Sequence, residues 1–466
     1  FEVMSRNFIA SRRRERGFGI NPWATHNRFI VSYPLIRRPD YRDPLLAHLG
    51  HRAEKGLLIL DEAHVAAPAS ATKYAVDSDT TAAIRDLAPK FDNRLFLSAT
   101  PHNGHSNSFS ALLEILDPIR FTRGVPVGGP EALSPIMVRR LKRDLRQLGV
   151  ERFPRRILTS IALKHGKRGW AASAVRHDPE ADTREAPTSL SDSLDGEPLE
   201  LELATLLARY TELCAPGSGR ARLVFINLQK RLLSSPEAFA RTLEVHVAAV
   251  NRAGGVKVRP IQTDLGDDPE VHGVDDETLD AEDDAEVRAA SAALPSPSVE
   301  AADLLKRMRA LAEKARRQPD GKARALLAWM RAELCPGIGQ AGDLPPKLRA
   351  WSPRRVILFT EYGDTKRYLQ ELLAEAVTGT DRADERILVF HGGMSDEARE
   401  DVQRAFNAHP DAHPVRILIA TDAAREGVNL QAHCADLIHY DIPWNPGRLE
   451  QRNGRIDRTL QPSPEV

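Results

Sequence analysis

Two adjacent carboxylates follow an apolar run in the first part of the sequence. The segment "LLILDEAH" leads from four apolar residues directly into Asp61, Glu62 and His64. The carboxyl end of a buried parallel strand is where open α/β sheets bind ligands. A carboxylate pair there suits metal-assisted phosphoryl transfer, with Asp61 holding magnesium through water and Glu62 activating the attacking water. An acidic turn that caps a helix explains an isolated match about as often.

A pair of hydroxyls follows the next apolar run. In "RLFLSATPHNG", Ser98 and Thr100 stand at the end of the run, and His102 and Asn103 come directly after it. Two hydroxyls at a strand end could relay the state of a nucleotide site through hydrogen bonds. Such a pair alone is more often a helix cap, but the preceding acidic motif favours coupling. We treat His102 and Asn103 as candidate contacts to nucleic acid.

Two segments near the other end of the chain carry complementary groups. In "ATDAAREGVNLQ", Gly427 allows close backbone approach, and Glu426 or Asp422 could bond a ribose hydroxyl or a neighbouring arginine. A plain strand-to-helix turn explains this segment almost as well.

The second segment, "RLEQRNGRIDR", concentrates arginines around Gly454. If it is helical, Gln451, Arg455 and Arg458 share one face. Two guanidinium groups aimed across a cleft would stabilise the charge of a transferring phosphoryl group. A solvated basic helix is the alternative, although a glycine in mid-helix costs about 1 kcal/mol relative to alanine.

The surrounding pattern predicts elements that place these groups at strand ends. "RFIVS", "GLLIL" and "RLFLS" each predict a buried parallel strand, and "SFSALLEILDP" predicts a helix after them. "RRVILFTEY", "ERILVFHGG", "VRILIATD" and "ADLIHYDIPW" predict four strands of a second, doubly wound parallel sheet. The fold class is therefore α/β, with two lobes.

The stretch between Ser160 and Trp351 differs from both lobes. Its long segments rich in Ala, Leu, Arg and Glu predict helices. Within it, residues 263–286 carry a dozen acidic residues and no Lys or Arg, which predicts a disordered loop. A mimic of nucleic-acid charge is the functional alternative for that loop.

Composition excludes some classes of protein and leaves others open. The 466 residues suffice for two or three domains, and no apolar run is long enough to span a bilayer. The three scattered cysteines predict neither a disulfide framework nor a zinc site, which suits the cytoplasm. Because 65 basic residues balance 65 acidic ones, attraction for nucleic acid must come from local patches, such as those near Arg12, Arg139 and Arg155.

Taken in order, these segments resemble motifs two to six of the superfamily 2 helicases. The resemblance covers "LDEAH", "LSATP", "FTEY", "HGGM", "ATDAAREGVNLQ" and "QRNGRIDR". "LQKRLLSSPEAFARTL" and "DIPWNPGRLEQRNGRIDR" look most like the bacterial Swi/Snf-like branch, which includes RapA-type proteins and the helicase-like component of the DISARM antiphage system.

The resemblance implies two RecA-like lobes with a helical insertion. Residues 1–159 would be a partial first lobe, 160–350 the insertion and 351–466 the second lobe. It also implies an ATP-dependent translocase or helicase on nucleic acid, most simply double-stranded DNA, with ATP and magnesium as cofactors and a polymerase or phage-defence protein as a possible partner. Each candidate residue then takes a role: magnesium and water activation for Asp61 and Glu62, coupling for Ser98 and Thr100, and arginine fingers for Arg455 and Arg458. Glu426, Gly427 and Gln451 would contact the nucleotide, and His64, also grouped with the nucleotide site, would link the carboxylate pair to the second lobe.

One departure from the family pattern concerns the phosphate-binding loop. Gly166-Lys167 is followed by Arg168, and Gly321-Lys322 by Ala323, so neither pair has the Ser or Thr that such a loop requires. We expect that the loop lies upstream and that the first lobe is incomplete at its amino end. A module that binds nucleic acid or a partner without hydrolysis is the alternative function.

Overall fold

The computed structural model describes residues 1–50, 56–67, 77–99, 106–147, 153–166, 169–179, 181–194, 197–216, 220–252, 276–422 and 428–466. They form two compact units, the first made of residues 1–139 with 445–447 and the second of described residues within 140–444 and 448–466. No helix in the described ranges is both long and apolar enough to cross a lipid bilayer.

The first unit mixes short strands and helices around one apolar core. Its elements are β1 (Glu2–Val3), α1 (Arg6–Arg16), β2 (Phe29–Ile30), α2 (Tyr33–Ile36), α3 (Pro39–Leu49), β3 (Leu57–Leu60), α4 (Asp79–Leu87), β4 (Asn93–Phe96), α5 (Ser106–Leu116) and α6 (Pro130–Leu133). β1 pairs with β2 and β3 pairs with β4, in both cases in parallel. The predicted helix after β4 is α5.

The β3–β4 sheet is half exposed, which corrects the prediction of buried strands. Leu57 and Ile59 are 55% and 51% exposed, whereas Leu60 is buried. Successive strand residues point to opposite faces, and only one face of this sheet packs on the core of the unit. Parallel pairing was predicted correctly, but burial was not, because a run of apolar residues does not reveal how many faces are covered.

The second unit contains the remaining elements. They are α7 (Lys142–Gln147), β5 (Leu158–Gly166), β6 (Gly169–Asp178), β7 (Thr183–Arg184), β8 (Thr188–Leu194), α8 (Leu199–Cys214), α9 (Leu223–Ser234), α10 (Pro236–Arg252), α11 (Asp276–Ala292), α12 (Val299–Ala315), α13 (Gly321–Glu333), α14 (Pro346–Arg349), β9 (Val356–Thr360), α15 (Gly363–Ala376), β10 (Ile387–Phe390), α16 (Asp396–Asn407), β11 (Ile417–Thr421), β12 (Asp436–His439) and α17 (Pro446–Asn453).

Four parallel strands form the predicted doubly wound sheet, in the order β10-β11-β9-β12. Every residue of β9 and β11 is buried. Val356 and Leu358 of β9 face a core shared with α13 and α15, whereas Ile357 and Phe359 face a core shared with α16. Helices on both faces explain why these strands are uniformly apolar rather than alternating.

An antiparallel sheet precedes the helices, which corrects the prediction of a wholly helical middle region. β5 and β6 pair along their full length, and β8 pairs with the other edge of β6. Gly166 and Gly169 lie opposite each other at the β5–β6 connection. Closely spaced glycines between two extended runs are a hairpin signal, and the helical composition farther along the chain obscured it.

Helices α8 to α12 form a layer with its own core, as the composition predicted. Leu203, Leu207, Phe239, Leu243 and Met308 are among its fully buried side chains. The spacing of four residues between Leu203 and Leu207, and between Phe239 and Leu243, places an apolar stripe on α8 and on α10.

The acidic stretch is partly folded, so the prediction of disorder is wrong for residues 276–286, which belong to α11. Residues 263–275 lie outside the described ranges. Lys366 Nζ donates to Asp276 Oδ2 at 2.5 Å, and Arg231 Nη2 donates to Asp283 Oδ2 at 2.6 Å. The local composition predicts repulsion, but the neutralising cations come from α9 and α15, far away in the sequence.

Candidate functional site

In the first unit, the carboxylate pair stands at the carboxyl end of β3. Asp61 is exposed, and its Oδ1 accepts a hydrogen bond from the Glu62 backbone N–H at 3.0 Å. Tyr33 donates its hydroxyl to the Asp61 carbonyl at 2.8 Å. Glu62 has φ 46° and ψ 49°, a left-handed conformation that costs a non-glycine residue about 1–3 kcal/mol. This turn leads into a 3₁₀ helix at Ala63–Ala66.

His64 connects the acidic motif to the hydroxyl motif. Its Nδ1 lies 3.0 Å from Ser98 Oγ and 3.3 Å from Glu62 Oε2. The ends of β3 and β4 are held together by the Leu97 N–H, which donates to the Leu60 carbonyl at 2.8 Å. The structure thus brings Glu62, His64 and Ser98 together, although His64 and Ser98 are 34 residues apart in the sequence.

Several predicted site residues lie outside the described ranges. They are Thr100, His102, Asn103, Glu426 and Gly427.

In the second unit, Arg452 is the centre of a buried ion-pair hub. Its side chain is fully buried, and its Nε donates to Asp422 Oδ1 at 2.6 Å. Its Nη1 donates to the Asp441 carbonyl at 2.7 Å, and the guanidinium lies 5.5 Å from the ring centre of Phe359. Asp422 follows β11 and Asp441 follows β12, so one side chain of α17 joins the loops after two strands.

Asp441 gathers further donors at the same sheet edge. Its Oδ2 accepts from Thr360 Oγ1 and Ser234 Oγ, each at 2.6 Å, and its Oδ1 accepts from the Glu361 N–H at 2.8 Å. Thr365 Oγ1 lies 2.6 Å from Ser234 Oγ. These buried hydrogen bonds connect the carboxyl end of α9 to the parallel sheet.

Glu361, immediately after β9, is a titratable carboxyl group that this sheet edge perturbs. Arg448 Nη1 lies 3.1 Å from its Oε1. Burial raises the pKa of Glu361 to about 7, although Arg448 opposes the rise; Asp422 and Asp441 add to it through charge repulsion.

The candidate arginine fingers follow α17 rather than lying on it. The helix ends at Asn453, so the expectation that Gln451, Arg455 and Arg458 share one helical face is wrong. Gly454 stands just past the last helical residue, which removes the cost of a mid-helix glycine.

Arg455 and Arg458 both contact the segment that begins at Val428. Arg455 is buried, and its Nη1 donates to the Val428 carbonyl at 3.1 Å. Arg458 Nη1 donates to Asn429 Oδ1. Gln451 lies on α17 and is partly buried. The arginines therefore pack beside the residues that directly follow Glu426 and Gly427 in sequence.

The lysine of the Gly321-Lys322 pair has a structural role. Lys322 Nζ donates to the carbonyl of Ser234 at 2.6 Å and to that of Tyr440 at 3.3 Å. Burial lowers its pKa. Lys322 thus caps the carboxyl end of α9 and is not a phosphate-binding lysine.

Sequence reasoning missed two residues that organise the second unit, Arg452 and Asp441. Asp441 had a usable signal, because it follows an apolar run just as Asp61 and Asp422 do. Arg452 could not be separated from its neighbouring arginines by spacing alone. Among the residues that the structure describes, no group of three or more His, Cys, Asp or Glu side chains is arranged to hold a metal ion.

A protein-family model matches the part of the chain that contains the parallel sheet β9–β12. Residues 344–459 match the helicase conserved C-terminal domain. RNA polymerase-associated protein RapA of Serratia proteamaculans (strain 568) is 24% identical over 445 residues, which cover 95% of this chain and 37% of RapA. Residues 344–459 therefore form a helicase conserved C-terminal domain, and the chain as a whole is similar to RapA.

Other similarities to this helicase-like chain are shorter or weaker. The uncharacterized ATP-dependent helicase YqhH of Bacillus subtilis (strain 168) is 40% identical over 107 residues, 23% of this chain and 17% of YqhH. The C-terminal part of the Fun30 ATPase domain matches 57% of this chain and 78% of that chain at 14% identity, with a TM-score of 0.28, too low to carry an inference. This helicase-like chain spans less than two-fifths of the length of RapA and of YqhH.

Proposed function

We propose that this chain carries the ATP-hydrolysing motor of a translocase that moves along double-stranded DNA. The observation that carries the proposal is the hub at Arg452, which joins Asp422 and Asp441 at the strand ends of the helicase domain. A catalytic site needs its loops held by buried, hydrogen-bonded side chains, because unsupported loops do not position charge accurately enough.

The first unit supplies the hydrolytic groups in this proposal. Glu62 activates the attacking water, and its contact with His64 orients it. Asp61 is exposed, and of its two carboxylate oxygens only Oδ1 accepts a hydrogen bond within the described ranges, so the carboxylate fits a magnesium ion held through water. When bound, that ion would supply charge neutralisation at the phosphates. Through His64, Ser98 would sense the state of Glu62, and Thr100, His102 and Asn103 would extend this coupling towards nucleic acid.

The second unit supplies positive charge and nucleotide contacts. Arg455 and Arg458 would stabilise the charge on the transferring phosphoryl group. Their contacts with Val428 and Asn429 support this role, because these residues continue the segment that carries Glu426 and Gly427. Those two residues and Gln451 would contact the nucleotide.

The class of partner follows from similarity alone. RapA is named as an RNA polymerase-associated protein, and we propose RNA polymerase as the partner class for this chain. A place in phage defence rests only on the resemblance to the DISARM component.

ATP hydrolysis by the complete gene product, with and without duplex DNA, tests the proposal. Replacing Glu62 with Gln should lower DNA-stimulated turnover at least about 100-fold, because a general base contributes that much or more. Glu371→Gln on α15, an exposed glutamate, is the matched control and should change nothing. Unchanged turnover in Glu62→Gln would overturn the motor proposal, and DNA binding by a wild-type protein that hydrolyses no ATP would favour the non-hydrolysing module.

A further inference from the structure

Helix α1 concentrates positive charge in a chain whose formal net charge is zero. Its sequence, RNFIASRRRER, holds five arginines and one glutamate, a net charge of +4 over 11 residues. Ser5 caps the helix by accepting from the Phe8 N–H at 3.1 Å, and Ile9 is buried in the core of the unit. The helix is therefore anchored on one face and open on the other.

Four of the five arginines are exposed and have no ion pair with any residue in the described ranges. Arg12 is the exception, since it pairs with Glu15 at 2.8 Å and lies over the Phe8 ring. We call the other four the α1 arginine surface: Arg6, Arg13, Arg14 and Arg16.

The other basic clusters of the sequence contrast with this surface. Arg156 pairs with Asp457 at 2.7 Å and with Glu450 at 2.8 Å. Lys142 pairs with Asp457 at 2.5 Å, and Arg155 pairs with Glu465. These cations serve the fold, because carboxylates of this chain already neutralise them. No carboxylate in the described ranges forms an ion pair with the α1 arginine surface.

The geometry of the surface suits a row of phosphates. Arg6 and Arg13 are seven residues apart and so lie on the same side of the helix, with Arg14 beside them. From Arg6 to Arg16 the helix rises roughly 15 Å, and one strand of duplex DNA advances by roughly 3.4 Å per phosphate. Four guanidinium groups thus extend over the length of about four phosphates.

A purely structural explanation accounts for part of the surface. Arginines in the last turn of a helix complement its dipole, and Arg13, Arg14 and Arg16 occupy that turn or its edge. The dipole does not account for Arg6, which stands in the first turn, where a positive charge is unfavourable. A ligand that takes all four cations explains the complete set.

We propose that the α1 arginine surface binds the phosphate backbone of duplex DNA without reading its sequence. The proposal rests on the function given above and adds the surface that engages the DNA. Contacts of this kind hold the duplex in place and make binding strongly dependent on salt.

Fluorescence anisotropy with a labelled duplex of about 20 base pairs tests this surface, at salt concentrations between about 50 and 200 mM. The variant replaces Arg13, Arg14 and Arg16 together with Glu. The control replaces Lys306, Arg307 and Arg309 of α12 with Glu, which changes the net charge equally at exposed positions that have no ion pair in the described ranges. A neutral variant with Gln at the three α1 positions, checked by thermal unfolding, separates lost contacts from repulsion and misfolding.

We expect the α1 charge reversal to weaken binding at least about tenfold at low salt and to lower the salt slope by roughly 2–3. The Gln variant should lower the slope similarly, and the α12 control should stay within about twofold of the wild type. Equal weakening by the α1 and α12 reversals would overturn the proposal, because net charge alone would then explain the effect. The proposal would also be overturned if the α1 charge reversal lost binding to polyglutamate but kept duplex binding. That result would assign the surface to an acidic protein.

The same variants separate this surface from the motor function. If DNA-stimulated ATP hydrolysis persists in the α1 charge reversal with an unchanged DNA requirement, the surface proposal fails and the motor proposal stands. If Glu62→Gln leaves ATP hydrolysis unchanged, the motor proposal fails regardless of the results for the α1 variants.

Discussion

The strand ends of the two units carry the same residue types but use them differently. In the first unit, Asp61 and Glu62 face solvent wholly or in part, and a histidine and a serine are their neighbours. In the second unit, Asp422 and Asp441 are buried, and Arg452 neutralises both. A carboxylate after a strand is thus available to a ligand in one unit and is part of the scaffold in the other. Burial and the presence of an internal cation make the difference.

Removing the cation of the buried hub should have the largest effect. Arg452→Met leaves Asp422 and Asp441 as uncompensated buried charges, and we expect a loss of about 3–5 kcal/mol of unfolding free energy. Denaturant unfolding followed by circular dichroism would measure it.

The matched control for this change is Arg404→Met on α16. Arg404 is exposed and pairs with the exposed Asp401 at 2.9 Å, so the expected loss is under about 0.5 kcal/mol. If Arg452→Met also costs less than about 1 kcal/mol, the Arg452 hub is not a scaffold and the contrast between the units disappears.

The two parallel sheets should differ in the same direction. Leu358 in β9 is fully buried, and Leu358→Ala should cost about 2–5 kcal/mol. Leu57 in β3 is more than half exposed, and Leu57→Ala should cost less than about 1 kcal/mol. Thermal unfolding of both variants gives the comparison, and equal losses would mean that the outer face of β3 is covered in solution.

Removing one hydroxyl group from each unit compares the hydrogen bonds at the two sets of strand ends. Ser234→Ala removes a buried donor to the Asp441 carboxylate and should cost about 1.5–3 kcal/mol. Ser98→Ala removes a partly buried bond to His64 and should cost about 0.5–1.5 kcal/mol. A larger loss from Ser98 than from Ser234, measured by denaturant unfolding, would reverse the assignment of scaffold and site.

A pH dependence at Glu361 tests the buried sheet edge of the second unit. Its pKa rises from the ordinary value of 4.5 to about 7 in the folded state, chiefly through burial. The folded protein therefore retains a proton that the unfolded chain releases, so this residue's stabilising contribution falls as pH rises from 4.5 to about 7. Relative to Glu361→Gln, the wild type should lose roughly 1 kcal/mol per pH unit in this window. A pH-independent difference between the two proteins would contradict the shift.

The sequence pattern predicted those elements whose burial is visible in the apolar residues of the segment itself. β9 and β11 were predicted because both of their faces are covered, which makes every residue of each strand apolar or buried. The pattern failed where the partners are distant in sequence. The carboxylates of α11 are neutralised by Arg231, Lys366 and Arg367, which no local window contains.

The candidate site was predictable only in part for the same reason. "DEAH" and "SAT" each indicated a strand end, and the structure adds the contact of His64 with Ser98. Only the tertiary structure distinguishes Arg452 from its neighbours, because spacing rules do not separate four arginines within 11 residues. A three-dimensional fold decides which of them binds a carboxylate and which packs beside Val428.

The central claim is that ATP hydrolysis needs Glu62 from the first unit and Arg455 from the second. A double-mutant cycle on DNA-stimulated ATP hydrolysis by the complete gene product, with Glu62→Gln, Arg455→Gln and both together, tests it directly. We predict that each single change lowers kcat at least about 100-fold and that the double variant is hardly slower, because the two groups act on one step. Full activity in a folded Arg455→Gln protein, or fully additive losses, would contradict the claim.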